Sequence, residues 1–273
     1  MKYNIAEKIW IINFINEGKT KEHFNSFETN TSEEPLHTIN FEVVESIEPL
    51  RSLNEIENGL HMYVINNVKY FDIEDDNKKV IIRGEYQGNV STFYFLKGFE
   101  EIEKYEYILS YMRFTEIISK HYFITLHASC VTLGNHAFII TGNRTRKSFT
   151  SEWLKKYNSC ELISNDKLIV KLENNMLKVY ATPWSGEEIV ENNQEWILKT
   201  ILFLEKGFFN RFIELNTEQK IKITATDLGI MTDTLDNNYL FDFCINLVDK
   251  VDIYKYKGKI KNINDIFKKI YFN

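Results

Sequence analysis

The segment Phe138-Ile-Ile-Thr-Gly-Asn-Arg-Thr-Arg-Lys-Ser-Phe-Thr150 runs from an apolar stretch, through a polar basic loop, into a helix-like one. A strand, a loop and a helix opening on Lys-Ser is an arrangement that holds phosphate. Backbone N–H groups at the helix start face the anion, the lysine reaches its terminal oxygens, and the hydroxyl ligates Mg²⁺. On that pattern Gly142, Asn143, Arg144, Thr145, Arg146, Lys147 and Ser148 are the candidate phosphate-binding residues, and Ser148 is also a candidate metal ligand. The spacing departs from G-x-x-x-x-G-K-[ST]. Four residues rather than five separate Gly142 from Lys147, and Arg146 stands where the second glycine belongs. Glycines there permit positive φ and close approach of the backbone to the anion; another residue costs on the order of 1 kcal/mol. Arg144 and Arg146 act in the other direction, adding positive charge beside the site. An ordinary strand–turn–helix with a solvated basic turn would read the same way.

Three further segments carry chemical groups. Leu162-Ile-Ser-Asn-Asp-Lys-Leu-Ile169 places Asn165-Asp166 at a strand end. In a nucleotide site an acidic residue at the next strand's end holds Mg²⁺ or accepts a proton from an attacking hydroxyl, which makes Asp166 a candidate for both. Asn-Asp is equally common turn chemistry. Leu126-His-Ala-Ser-Cys-Val131 contributes His127, a residue type that more often sits in a core or at an edge than in catalysis. Ala181-Thr-Pro-Trp-Ser-Gly-Glu-Glu188 is a proline-fixed turn with a large aromatic, which could wall a pocket or simply shape the chain.

The elements that must position these residues have an α/β rhythm. Ile124–Thr132 and His136–Thr141 read as buried strands, Ser148–Lys156 as a helix with Trp153 and Leu154 inward, and Leu162–Ser164, Lys167–Lys171, Met176–Tyr180 and Thr200–Leu204 as strands. Asn237–Asp249 reads as a helix, Val251–Tyr256 as a strand and Asn262–Tyr271 as a closing helix. Upstream, the first sixteen residues read as a first strand, and Ser26–Pro35 as an exposed loop. Ile39–Val44, Met62–Asn66, Val68–Ile73, Lys79–Glu85 and Ser91–Leu96 suggest an antiparallel meander. Glu100–Lys120 changes period: Ile102, Tyr105, Leu109, Met112 and Ile117 recur as on an amphipathic helix. The expectation is an α/β (α+β) chain, with a small β-rich domain over 1–118 and a mixed sheet carrying the P-loop-type strand–loop–helix over 119–273.

Composition narrows the classes. The 273 residues are 44% hydrophobic and 26% charged, as in a packed globular chain of one large or two ordinary domains. Thirty-three Lys+Arg against thirty-nine Asp+Glu leave a net charge of −6, not the basic footprint of a nucleic-acid binder. Cys130, Cys160 and Cys244 are too few for a disulfide framework and lack metal-ligand spacing, so they read as reduced thiols in a cytoplasmic protein. No apolar run approaches the ~20 residues of a membrane span, and Glu7 and Lys8 interrupt any export-type core.

Taken in order, five of these segments resemble the C-terminal catalytic domain of HPr kinase/phosphorylase and its looser relatives in the phosphoenolpyruvate-carboxykinase-like group, some of which accompany pathways that modify ribosomally made peptides. They are Leu126–Val131, Gly142–Ser148, Ser164–Asp166, Thr182–Glu187 and Phe203–Asn210. The resemblance covers roughly residues 120–260. It implies an ATP/Mg²⁺-dependent kinase acting on a serine of a protein or peptide, with no membrane or nucleic-acid partner; oligomers are common among such relatives. Carried over, Lys147 contacts phosphates, Ser148 coordinates Mg²⁺, Asp166 is metal ligand or proton acceptor, and His127 lies beside the transferred phosphoryl. Asn165 stands at the first of the paired acids, where it cannot take a proton. Arg211, next to Asn210, is a candidate for stabilising transition-state charge, or a plain surface arginine. The departures at the loop and at Asn165 point to a second reading, an inactive kinase-like scaffold that binds a peptide or partner.

Overall fold

The computed structural model describes residues 1–50, 55–57, 60–142, 147–186, 194–207, 209–230, 237–258 and 267–268. Two mixed sheets and few helices make it an α+β chain, divided into two compact units, Met1–Arg113 and Phe114–Asn273.

The first unit opens with β1 (Lys2–Ile5) and β2 (Lys8–Asn13), followed by a short helix α1 (Lys19–Glu22) and a single 3-10 turn at Asn25–Phe27. The N-terminal segment is thus a hairpin rather than one strand. It turns on Ala6 and Glu7, both at positive φ (52° and 60°), a conformation usually left to Asn and Gly. Next come β3 (His37–Val44), β4 (Glu55–Glu57), β5 (Leu60–Ile65), β6 (Val68–Glu74), β7 (Val80–Gln87) and β8 (Val90–Leu96). The sheet order is β1-β2-β3-β8-β7-β6-β5-β4. Strands β5 to β8 form the antiparallel meander, with Asn66 and Asn67 both left-handed in one of its turns. β3 does not belong to that meander: it lies parallel to both β2 and β8. An aromatic core closes one face, where Phe41 stacks on Phe93 and Phe95.

Helix α2 (Ile102–Ser119) contains the division between the units. Its buried stripe differs from the sequence expectation. Leu109 and Ile117 are buried, but Met112 is exposed, and Glu106 and Arg113 take inward positions. Each polar intruder is bonded. Glu106 accepts from the Ile15 backbone N–H and the Asn16 amide, and Arg113 donates to Ser91 Oγ at 2.7 Å. Burying them thereby avoids the cost of an orphaned polar group.

The second unit begins with β9 (Phe123–His127) and β10 (Ser129–Leu133), where the sequence suggested one strand. They are followed by β11 (His136–Thr141), α3 (Lys147–Asn158), β12 (Glu161–Ser164), β13 (Lys167–Glu173), β14 (Met176–Tyr180) and β15 (Glu195–Lys206). β16 (Arg211–Glu214), α4 (Thr217–Asp227), α5 (Asn237–Lys250) and β17 (Asp252–Gly258) complete it. The closing helix expected over Asn262–Tyr271 falls almost entirely outside the described residues. The sheet order is β12-β10-β11-β15-β14-β13-β9, with β17 beside β15 and β16 beside β17.

β9 pairs with β13 and β10 pairs with β12, so a long antiparallel ladder is cut in two. One cut is at Ala128, the other at Asn165-Asp166. Beyond the cuts the strands diverge to opposite ends of the sheet order, and β15 bridges them by pairing β14 along its start and β17 along its end. α3 covers β10, β11 and β12, and its Leu154 enters a core of Val131, Phe138, Ile140, Leu202 and Tyr256.

Candidate functional site

The cut ladder leaves backbone groups that no strand partner can satisfy, and the side chains around it take over. Ala128 N–H donates to Asp166 O at 3.0 Å, and His127 N–H to Gly229 O at 2.9 Å. Ser129 Oγ donates to Asn165 O (3.0 Å), Ser164 Oγ to Lys167 O (2.7 Å), and Thr182 Oγ1 to Lys167 O (2.8 Å). Asn165 N–H donates to Ser185 O at 3.2 Å. The turn that follows β14 backs this crease. Trp184 is fully buried against Phe114, with ring centroids 4.6 Å apart, and Gly186 passes so close to Asp166 that a side chain there would touch it at 3.4 Å. That proline-fixed turn therefore supports Asn165-Asp166 directly.

Asp166 is the centre of charge. Its Oδ1 lies 2.9 Å from His127 Nε2 and 3.1 Å from Lys167 Nζ. Burial pushes the carboxyl up, but the hydrogen bond from His127 and the charge and hydrogen bond of Lys167 outweigh it and hold Asp166 below the usual carboxylate range. His127 itself remains half-exposed, so the pair can be reached from solvent. Lys147, the first residue of α3, is within electrostatic range of Asp166 and Lys167. Burial drives its ammonium down, Asp166 pulls it back up, and Lys167 adds to the depression.

Asn165 does something else. It is only 7% exposed; its Oδ1 accepts from Ser151 Oγ at 2.5 Å and its Nδ2 donates to Glu152 Oε1 at 3.4 Å. Both partners belong to the first turns of α3, so Asn165 ties that helix to the crease. Ser148 Oγ adds a second tie, donating to Asn165 O at 3.3 Å. Its lone pairs stay available to a cation. A carboxylate and one hydroxyl suit Mg²⁺, which keeps most of its shell as water or phosphate oxygen. Among the described residues no group of three or more His, Cys, Asp or Glu could hold a metal.

Of the residues named from sequence, His127, Asn165, Asp166, Lys147 and Ser148 come together here. Gly142 ends the strand before the loop, with φ +136°, and a Cβ on it would sit 2.3 Å from Leu204 O. Its lack of a side chain serves the approach of β11 to β15. Asn143, Arg144, Thr145 and Arg146 lie outside the described residues. Arg211 opens β16 and lines a separate hollow with Lys206, Gly207, Phe209 and Lys257, none of them from the Asp166 cluster. Lys167 and Ser151 went unnoticed in the sequence. Lys167 is adjacent to Asp166, but adjacent side chains on a strand normally face apart; the cut ladder removes that rule. Ser151 follows Lys147 by one helical turn, a spacing that could have been used.

No family model and no curated protein matches the chain. Among solved structures, the HPr(Ser) kinase/phosphatase from Coxiella burnetii is similar over 46% of this chain and 94% of that one, at 16% identity and a TM-score of 0.26. Superposition that loose is a distant likeness and does not assign roles to residues. Among the described residues no helix is long and apolar enough to cross a membrane.

Proposed function

We propose that the chain is a Mg·ATP-dependent kinase that transfers a phosphoryl group to a serine hydroxyl of a peptide or protein. The observation that carries this reading is the Asp166–His127 pair, 2.9 Å apart and open to solvent, beside a helix that opens on Lys147-Ser148. In this reading the substrate oxygen bonds to the terminal phosphorus as the bond to the leaving diphosphate breaks, and the serine proton passes to the Asp166–His127 pair. Lys147 neutralises phosphate charge, and α3 presents its N-terminal N–H groups to the same anion. Asp166 and Ser148 would hold Mg²⁺, which supplies charge neutralisation on the phosphates. The sequence resemblance to HPr kinase-like proteins supports the same assignment.

A second reading has its own support. Asn165 occupies an acidic position of the resembled motif, and it is buried and bonded through both ends of its amide. That suits a scaffold that kept the fold and bound a peptide without turnover. Incubation with a serine-containing peptide encoded beside this gene and Mg·ATP separates the two. The kinase reading expects a phosphate mass on serine that disappears in Asp166→Asn; a peptide that binds but never gains that mass favours the scaffold.

A further inference from the structure

The ends of β15 and β17 and the start of β16 meet around a hollow of about 710 Å³ lined, among the described residues, by Lys206, Gly207, Phe209, Arg211 and Lys257. Three of the five are cations, on a chain whose net charge is −6. Phe209 is 86% exposed, the most solvent-exposed large apolar side chain among the described residues. Lys257 is paired with Glu205, but among the described residues neither Lys206 nor Arg211 has an ion-pair or side-chain hydrogen-bond partner. Two cations with no partner among the described residues, flanking an exposed aromatic, suit a partner that brings carboxylates and apolar surface together. A second, smaller hollow shares Lys206 and reaches back to Gly142 at the end of β11. That smaller hollow also carries Glu205, Asp227 and Lys255, so its charge is mixed and the cationic patch itself is Lys206, Arg211 and Lys257.

We infer that this hollow docks an acidic segment of the peptide or protein substrate, with carboxylates on Lys206 and Arg211 and an apolar side chain against Phe209. The inference rests on the peptide-modifying reading above, and it gives Arg211 the work of anchoring substrate. The smaller hollow joins this one to Gly142 after β11, so a segment held here extends along the strand ends in that direction. Charge attraction also concentrates an acidic partner at the site and makes the encounter salt-dependent.

Fluorescence anisotropy with labelled Glu-Asp-Phe-Ser-Glu-Asp tests this, beside a neutral control in which Gln and Asn replace Glu and Asp. The full chain is used, without nucleotide, and Mg·ATP binding is measured separately by calorimetry. The expected result is binding of the acidic probe only, weakened at least about tenfold by Arg211→Glu and by added salt. Phe209→Ala, at an exposed position, weakens it as well. Both variants keep the wild-type response to Mg·ATP. An acidic probe that binds no better than the neutral one overturns the inference, even when Mg·ATP binds normally. So does competition by inorganic tripolyphosphate together with loss of probe binding in Lys147→Ala, which would make the hollow part of the nucleotide site. Probe binding without any Mg·ATP binding keeps the docking surface and removes the kinase reading instead.

Discussion

Replacing Asn165 by aspartate would rebuild the paired acids of the resembled motif, and the structure says it should be costly. Asn165 Nδ2 is 3.4 Å from Glu152 Oε1, so the variant puts two carboxylates at that separation. Coulomb repulsion at 3.4 Å is about 5 kcal/mol at an effective dielectric of 20 and about 1 kcal/mol in bulk water. Asn165 is buried but Glu152 is exposed, so screening brings the cost to about 2 kcal/mol at pH 7. That repulsion raises the new carboxyl's folded pKa above its unfolded value. The folded state then binds more protons between the two values, so the penalty grows as pH rises and shrinks as pH falls toward about 4. Urea denaturation of wild type and variant at both pH values reads this directly, and Glu152→Gln in the same chain should recover most of the loss. A variant as stable as wild type at pH 7, or a double variant no better than the single one, would refute the idea that asparagine is there to sit beside Glu152.

Further outcomes follow from other contacts. Asp166 is held below its ordinary value of 3.8, so its contribution to stability is present above that pH and fades as pH falls through the folded value; His127→Ala should move the Asp166 carbonyl NMR titration upward. Burial pushes Glu106 above its ordinary value of 4.5 despite the N–H groups of Ile15 and Asn16, so it lowers stability as pH rises from 4.5 through the folded value. Glu106→Gln should remove that slope in denaturation curves, and Glu106→Ala should cost about 1–3 kcal/mol by orphaning the donors. Gly142→Ala forces a methyl onto Leu204 O at positive φ and should cost about 2–4 kcal/mol by urea denaturation; a loss under 1 kcal/mol would contradict the packing argument. Burial raises the Cys160 thiol to about 11, and native protein should react slowly with a thiol reagent at pH 8 until it is unfolded.

Local pattern carried much of the fold. The runs at β5 to β8, β11, α3, β13, β14 and α5 are legible because period and turn residues agree, as at Asn66-Asn67. What escaped depends on partners far along the chain. The hairpin at Ala6-Glu7 has no turn residue to announce it, and the surrounding core imposes the left-handed conformation. The parallel placement of β3 beside β8 is a choice among edges that no local spacing encodes. Met112 lies outward because Glu106 and Arg113 find buried partners, which a hydrophobic count cannot foresee. At the site, His127 and Asp166 could be named by type, but their meeting depends on the cut between β9 and β10 at Ala128, a residue with no break signal. Gly142 was visible as a loop glycine; the reason for it, the Leu204 carbonyl, was not.

The central claim is that the start of α3, with Lys147 in electrostatic range of Asp166, the partner of His127, receives the phosphates of Mg·ATP. Thermal denaturation with and without Mg·ATP, in wild type and Lys147→Ala, tests it most directly. The account predicts a wild-type shift equivalent to about 2.7 kcal/mol at a hundredfold excess over Kd, and its disappearance in Lys147→Ala. No shift in the wild type, or an equal shift in both proteins, would contradict it.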